Sequence, residues 1–224
     1  MNYSEAELKD IQYEWQQYYI NNCNKCHGMG TLNDVVCICT KQANAAFLCE
    51  TNGFGKRYLK MSLMDSHLKQ VISQYFSDFP KYKENGTGLY LFGKYGTGKT
   101  LAVTNLAKNI MMIENPLMTS SFSEKFFLYD DLVRLSLEDT SYSSLEMIIK
   151  KPDILVLDNI GNEIGLRTQA RSSVSLLENI IRNRMIMGKV TWITTNLSLD
   201  DFSNLYSVSL AQIIQRDYQL LCSN

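Results

Sequence analysis

The chain has 224 residues, a formal net charge of −1 at pH 7 and a hydrophobic share of 45%. These values argue against a disordered protein, and they exclude a global basic field for nucleic acid, so any DNA contact must rest on a local patch. The N-terminus lacks the pattern of a signal peptide, and no apolar run reaches the roughly 18 residues of a membrane span, so we expect a soluble, intracellular protein.

The first part of the chain combines helix signals with a cysteine-rich segment. Ser4 and Glu7 have the spacing of a capping box, and apolar residues recur at helical intervals up to Ile20. The sequence therefore predicts a helix over residues 4–20. The segments that follow are predicted, in order, as a cysteine-rich stretch at 23–39, a mixed connector at 40–64, a helix at 65–79 and a loop at 81–88.

The rest of the chain alternates strands and helices. The strands are predicted at residues 89–92, 126–129, 154–157 and 190–194, and the helices at 101–113, 130–137, 169–187 and 209–221. Continuous apolar strands separated by helices predict a parallel sheet that is covered on both faces. We expect an α/β fold in two parts, with an N-terminal helix and cysteine module at residues 1–50 and a core at 51–224.

A glycine-rich loop lies between the first of these strands and its helix. Residues 93–100 have the sequence Gly-Lys-Tyr-Gly-Thr-Gly-Lys-Thr, which matches the phosphate-loop pattern in full. Backbone N–H groups of such a loop and the N-terminus of the following helix bind phosphate, the lysine contacts the β- and γ-phosphates, and the threonine hydroxyl contacts Mg²⁺. The predicted contacts of ATP or ADP are Gly93, Tyr95, Gly96, Thr97, Gly98, Lys99, Thr100 and Leu101.

An acidic residue ends the strand at 154–157. Asp158 is predicted to hold Mg²⁺ through water, because ligands bind at the carboxyl ends of parallel strands. Without the phosphate loop, a helix-capping aspartate would be the favoured interpretation. The next residue is Asn159, where ATPases of this class usually carry an acid that activates water. An amide cannot take a proton. Three alternatives follow. Hydrolysis is slow, or Glu163 acts as the base instead, or the protein switches mainly by binding ATP.

Two polar residues further along the chain are candidates for contacts near the γ-phosphate. Asn196 follows the strand at 190–194 and is predicted to sense that phosphate, with a turn asparagine as the alternative. Arg216, on the last predicted helix, is a candidate arginine finger for a neighbouring subunit. As a lone helical arginine it would otherwise be a solvated surface residue.

Four cysteines near the N-terminus have the spacing of a metal site. Cys23, Cys26, Cys37 and Cys39 form a CxxC…CxC set, and four thiolates can close a tetrahedral zinc site. The stretch is too short to bury a core, so a metal would have to fold it. Buried free thiols are the alternative, and His27 could replace one of the cysteines.

Four further stretches carry a resemblance to a known group. They are residues 54–58 (Phe-Gly-Lys-Arg-Tyr), 158–163 (Asp-Asn-Ile-Gly-Asn-Glu), 193–199 (Ile-Thr-Thr-Asn-Leu-Ser-Leu) and 213–216 (Ile-Ile-Gln-Arg). With the phosphate loop and the cysteines, they resemble the AAA+ helicase-loader ATPases of the DnaC/DnaI type and the related IstB transposition ATPases, including zinc-bearing members, many of them phage-encoded.

The resemblance implies an ATP-dependent loader that binds a replicative helicase of the DnaB type and places it on single-stranded DNA. It implies an AAA+ ATPase core at residues 51–224, in the cytoplasm of a bacterium or an infected host, and self-assembly or a hetero-oligomer with Arg216 acting in trans. Arg182, Arg184 and Lys189 are candidate DNA backbone contacts, with the solvated face of their helix as the equal alternative. Gln212 departs from the group, which often has a second arginine there. Since only eight residues follow Arg216, the α-helical lid is expected to be reduced or absent.

Two other functions fit the same motifs. An IstB-like ATPase would deliver a transposase rather than a helicase. A nucleotide-binding adaptor or inhibitor with negligible hydrolysis would agree with Asn159.

Overall fold

A computed structural model describes residues 3–63, 66–137, 149–162 and 170–223. Its helices and strands, in chain order, are α1 (Glu5–Tyr19), β1 (Thr31–Leu32), β2 (Val35–Val36), α2 (Ile38–Thr51), α3 (Lys56–Lys60), α4 (Ser66–Asn85), β3 (Gly88–Phe92), α5 (Lys99–Glu114), β4 (Glu124–Leu128), α6 (Tyr129–Leu137), β5 (Ile154–Ile160), α7 (Ala170–Ile186), β6 (Val190–Thr195), α8 (Leu199–Leu205), α9 (Val208–Asp217) and β7 (Tyr218–Cys222). None of the helices within these ranges is long and apolar enough to cross a membrane.

The contacts divide the chain into two compact units. The first unit consists of Met1–Ser62 and Thr104–Phe122, and the second of Leu63–Val103 and Ser123–Asn224. The first five residues of α5 therefore belong to the second unit, and the rest of the helix belongs to the first. The division of function between residues 1–50 and 51–224 stays a prediction.

The first unit is built on the pairing of α1 with α2. The predicted capping box is present, since the side chains of Ser4 and Glu7 each bond the other's backbone N–H. Closer to the C-terminal end of α1, Trp15 is 1% exposed, and its indole N–H donates to Glu50 of α2 at 2.6 Å. The side of α1 that carries Trp15 is therefore a packing face.

The prediction of a connector at residues 40–64 is wrong, because this stretch contains most of α2 and all of α3. Six residues of α2 are buried, among them Ala43, Ala45, Ala46 and Cys49. A helix with small apolar residues on several sides has little amphipathic periodicity, so the pattern that signals a surface helix is weak here.

The second unit contains a five-stranded sheet in the order β4-β5-β6-β3-β7. All four pairings are parallel, which confirms the predicted sheet. Every residue of β6 is buried, as a strand covered on both faces requires. Strand β6 separates β3 from β5, so the residues that follow β6 lie between the phosphate loop and Asp158.

Two predicted boundaries in the second unit are wrong. The helix expected to end at residue 79 continues through Pro80 to Asn85, into the predicted loop at 81–88. Tyr75 and Phe79 pack on Trp192 with ring centroids 6.1 and 6.4 Å apart. This packing, together with the hydroxyl of Tyr75 donating to Thr87 at 3.1 Å, offsets the cost of a proline inside a helix, which is about 3 kcal/mol.

The helix predicted over residues 209–221 is also wrong in its second half. Helix α9 ends at Asp217, and the next five residues form β7, which pairs in parallel with β3 from Gly88↔Tyr218 to Phe92↔Cys222. The hydrogen bonds that β3 offers along its open side are a tertiary effect that local helix propensity does not contain. The short helix α8 and the β1–β2 pair were likewise not predicted.

Candidate nucleotide site and cysteine cluster

The phosphate loop runs from the carboxyl end of β3 to the first turn of α5. Gly96 and Gly98 have φ angles of +78° and +89°, in the left-handed region that favours glycine. At Gly96 an added Cβ would meet no atom within 4 Å, so the requirement there is the backbone conformation and not space. The loop therefore has the turned-in backbone of an anion-binding nest at a helix N-terminus.

Lys99 begins α5 and points back across the loop. Its ammonium group donates to the carbonyl oxygens of Gly93 and Lys94 at 2.8 and 2.7 Å, and to Oδ1 of Asn196 at 2.9 Å. Burial lowers the pKa of Lys99 below its ordinary value, and the nearby carboxylate of Asp158 opposes this. The structure thus brings together the predicted phosphate lysine and the predicted γ-phosphate sensor.

Asp158 lies near the end of β5 and is 2% exposed. Its carboxylate accepts from the hydroxyl of Thr100 at 3.0 and 3.1 Å and from that of Thr194 at 2.5 Å. Burial raises the pKa of Asp158 above its ordinary value, and the two hydroxyls and Lys99 partly oppose the rise. Thr100 and Asp158, the pair predicted to hold Mg²⁺, are within hydrogen-bond distance, so their oxygen atoms are close enough to converge on one cation.

Asn159 lies where the strand pairing between β5 and β6 shifts register. Its φ is +66°, and its N–H donates to the hydroxyl of Thr194 at 2.9 Å. Asparagine tolerates this left-handed conformation better than most residues. Glu163, the alternative base, lies outside the described residues.

The other predicted contacts of the loop are placed as follows. The exposed ring of Tyr95 donates through its hydroxyl to Oδ1 of Asn162 at 2.7 Å. Thr97 donates to the carbonyl of Lys94 at 2.9 Å. Gly93 is buried directly after β3, and Leu101 lies half-buried in the first turn of α5.

Arg216 does not join this group of residues. It lies near the end of α9 with its side chain 68% exposed, and its guanidinium contacts Asp217 and Met185. An exposed arginine outside its own chain's site is compatible with action on a neighbouring subunit, which remains a prediction.

The prediction of DNA contact by Arg184 is wrong. Arg184 is fully buried, and it donates to the hydroxyl of Thr191 and to four backbone carbonyls, those of Ile149, Pro152, Asp153 and Val190. The residue ties together the beginnings of β5 and β6, at the end of the sheet opposite the phosphate loop. Arg182 and Lys189 are bonded to protein groups as well, to Glu178 and to Asp153.

The four cysteines lie together in the first unit. Their Sγ atoms are all within 4.8 Å of one another, with separations of 3.8 Å for Cys23–Cys37 and 3.5 Å for Cys26–Cys39. Tetrahedral zinc with Zn–S bonds of about 2.3 Å needs sulfur atoms about 3.8 Å apart. The cluster fits such an ion, and within the described chain it contains the four cysteines without His27.

The thiols of the cluster differ in their electrostatics. Backbone N–H groups of Cys26 and Lys25 lower the pKa of Cys23 to about 6, whereas burial raises the pKa of Cys39 to about 12. A cation among the four sulfur atoms would supply the charge that a buried thiolate such as Cys39 requires.

Sequence reasoning missed two residues of the nucleotide site, Thr194 and Ser223. Thr194 was predicted as a strand residue only, although a threonine two positions before the sensor asparagine of a parallel strand was a usable signal. Ser223, which bonds Thr97, follows a strand that had been predicted as helix, so no local signal pointed to it.

Comparisons with known proteins agree with this geometry. Residues 89–215, more than half of the chain, match the ATPase family associated with various cellular activities (AAA). The replicative helicase loader DnaI of Bacillus subtilis is 28% identical over 167 residues, which cover 68% of this chain and 50% of the relative. The chain thus spans about half the length of that curated relative.

Solved structures show the same fold. A crystal structure of the DnaC helicase loader has a TM-score of 0.54 at 21% identity and covers 75% of this chain and 99% of its own. Domain III of the replication initiation protein DnaA from Thermotoga maritima has a TM-score of 0.59 at 14% identity, with coverages of 72% and 64%. The chain therefore belongs to the AAA family of ATPases, and it shares its fold with the DnaC helicase loader and with domain III of DnaA.

Proposed function

We propose that the chain is an ATP-controlled loader that binds a replicative DNA helicase and helps to place it on single-stranded DNA. The observation that carries this proposal is the meeting of Lys99, Thr100, Asp158 and Asn196 at one edge of the sheet in an AAA-family domain. The similarity to DnaI, whose name describes a replicative helicase loader, supports the choice of partner.

The nucleotide site would work as a binding switch. ATP with Mg²⁺ supplies a triphosphate whose charge the site can recognise. Lys99 would turn from the carbonyls of Gly93 and Lys94 toward phosphate oxygens, and Thr100 and Asp158 would hold the cation. Because Asn196 bonds Lys99 directly, movement of the lysine would be transmitted to the end of β6.

The first unit is proposed as the helicase-binding part, stabilised by zinc on the four cysteines. Two apolar side chains in the cysteine-rich stretch are exposed: Met29, which precedes the β1–β2 hairpin, is 69% exposed, and Val35 of the hairpin is 68% exposed. Exposed apolar side chains held by a short hairpin are suited to a protein partner. Contact with single-stranded DNA and self-assembly complete the proposal and rest on the resemblance to the loaders.

The proposal is tested by capture of a purified replicative helicase on the immobilised full chain, with and without ATP and Mg²⁺. We expect the helicase to be retained only with ATP, and not by Lys99→Ala. The double variant with Met29→Ser and Val35→Ser should retain less helicase than the unaltered chain. Loading is followed by fluorescence anisotropy of labelled single-stranded DNA. Equal helicase retention by Lys99→Ala and the unaltered chain would contradict the switch, and capture of a transposase instead would favour the IstB-like function.

A second function is favoured by Asn159, which lacks the proton-accepting group of the usual acid. In this proposal the chain is a nucleotide-bound adaptor or inhibitor with negligible turnover. A steady-state ATPase assay with and without single-stranded DNA separates the two functions. Turnover that rises with DNA and falls in Glu163→Ala would exclude the adaptor.

A further inference from the structure

The residue after β7 returns to the phosphate loop. Parallel pairing of β7 with β3 ends at Phe92↔Cys222, and the N–H of Ser223 then donates to the carbonyl of Phe92 at 2.8 Å. Phe92 is the residue directly before the loop. Ser223 is 5% exposed, so its hydroxyl is held inside the protein and is not shared with bulk water.

The hydroxyl of Ser223 is bonded to the loop itself. Its Oγ lies 2.6 Å from Oγ1 of Thr97 and 3.1 Å from the carbonyl of Phe92. The hydroxyl of Thr97 is 2.9 Å from the carbonyl of Lys94, to which it can donate. Each hydroxyl has a single proton, so the two protons serve two of these three contacts at a time. When Thr97 donates to Lys94, the Ser223 hydroxyl can donate to Oγ1 of Thr97, and the carbonyl of Phe92 then keeps the backbone N–H of Ser223 as its donor.

This chain of hydrogen bonds ends on an atom that also holds the phosphate lysine. The carbonyl of Lys94 accepts from the ammonium group of Lys99 at 2.7 Å. Ser223 therefore joins the base of the loop at Phe92 to its middle at Thr97, and through Lys94 to Lys99. The contact bridges 126 positions in the sequence.

We propose that Ser223 is a positioning residue for nucleotide binding, which holds the phosphate loop in its anion-binding conformation through Thr97. It contacts the loop and not the nucleotide. The inference rests on the nucleotide-binding part of the proposed function and is independent of the helicase. Strand β7 then has a role besides extending the sheet at its edge, because its pairing with β3 places the Ser223 hydroxyl next to the loop.

Loss of the bond should weaken ATP binding without unfolding the sheet. Removing one hydrogen bond that preorganises a loop corresponds to roughly a fivefold rise in the Kd for ATP. Strand β7 keeps its backbone pairing with β3 in Ser223→Ala. Ser223→Thr retains the hydroxyl and should restore the affinity to within about twofold of the unaltered chain.

The experiment measures the Kd for ATP with Mg²⁺ by titration calorimetry, and stability by urea unfolding, in the full chain. The variants are Ser223→Ala, Thr97→Val, the double variant and Ser223→Thr. Leu220→Ala is the matched control, because it alters β7 at an exposed side chain without touching the hydroxyl. Lys99→Ala reports the loss of nucleotide binding as such.

The expected result is that Ser223→Ala and Thr97→Val each raise the Kd for ATP about fivefold. The Kd of the double variant should not exceed the higher of the two single-variant values. Leu220→Ala should bind ATP like the unaltered chain. Normal affinity in Ser223→Ala, additive effects, or an equal loss in Leu220→Ala would overturn the inference while leaving the proposed function intact. Absence of ATP binding by the unaltered chain would overturn both.

Discussion

At the scale of the residue, the two charged groups of the nucleotide site are bonded to neutral partners. Lys99 donates to two carbonyls and an amide oxygen, and Asp158 accepts from two threonine hydroxyls. Within the described residues neither charge is part of a direct ion pair. The ammonium group is therefore available to an anionic phosphate, and the carboxylate to a cation, without breaking a salt bridge first.

The buried guanidinium of Arg184 should be a main source of stability in the second unit. Arg184→Ala would leave four backbone carbonyls and a hydroxyl without their donor, and we expect a loss of about 3 kcal/mol or more in the free energy of unfolding. Urea unfolding measures this loss. Arg182→Ala, which removes a half-exposed arginine of the same helix, should change stability by less than about 0.5 kcal/mol. Equal effects of the two variants would contradict this role.

Substitution of Asn159 tests whether an acid at this position would raise ATP turnover. Asn159→Asp introduces a group that can accept a proton, at a positive φ that aspartate tolerates. We expect ATP turnover to rise by about tenfold or more, because general-base catalysis commonly contributes 10²–10⁴-fold. The steady-state ATPase rate is the measurement, and Asn159→Gly is the control that keeps the backbone conformation without a base. Unchanged turnover in Asn159→Asp would point to another group as the base.

At the scale of the element, short segments of the first unit depend on the cysteine cluster. Strands β1 and β2 have two residues each, and their turn places Asn33 and Asp34 at positive φ. A hairpin of this size is unstable alone. Cys37 and Cys39 anchor the beginning of α2, and the N–H of Gly30 donates to Sγ of Cys26 at 3.2 Å, so the sulfur atoms connect the segment to the helix.

Metal removal should therefore disorder this part of the chain. Native mass spectrometry is expected to find about one zinc ion per chain, and Cys26→Ser should reduce it to nearly none. Cys49→Ala is the control, because Cys49 is buried in the same unit but lies outside the cluster. Hydrogen exchange after chelation should show faster exchange at residues 23–39. Full zinc content in Cys26→Ser would contradict the predicted site.

At the scale of the whole molecule, the chain holds most of a nucleotide site but leaves Arg216 outside it. The guanidinium at the end of α9 is largely exposed and is paired with its neighbour Asp217. A surface ion pair of this kind contributes little to stability. It can therefore be exchanged for a phosphate on another subunit at small cost, as an arginine finger requires.

Removal of this arginine should separate binding from turnover. In Arg216→Ala we expect an unchanged Kd for ATP and a fall of about 10³-fold in ATP turnover by the assembled protein. Both quantities are measured over a range of chain concentrations, because the expected fall in turnover depends on the proposed self-assembly. Arg134→Ala, which removes another exposed arginine from an ion pair, should leave both unchanged. A weakened Kd in Arg216→Ala would place the residue in its own chain's site instead.

The sequence by itself determined the class of the fold and the chemistry of the site. The apolar strands predicted a parallel sheet, and the phosphate loop, Asp158 and Asn196 were found at strand ends, because these features depend on residues close together in the chain. Tertiary structure decided the rest. Helix α2 is stabilised by burial on several sides, and β7 forms because β3 offers hydrogen bonds. Arg184 points inward to carbonyls before β5 and at the start of β6, and Ser223 contacts Thr97. Each of these depends on partners distant in sequence, and local propensity and periodicity contain no information about such partners.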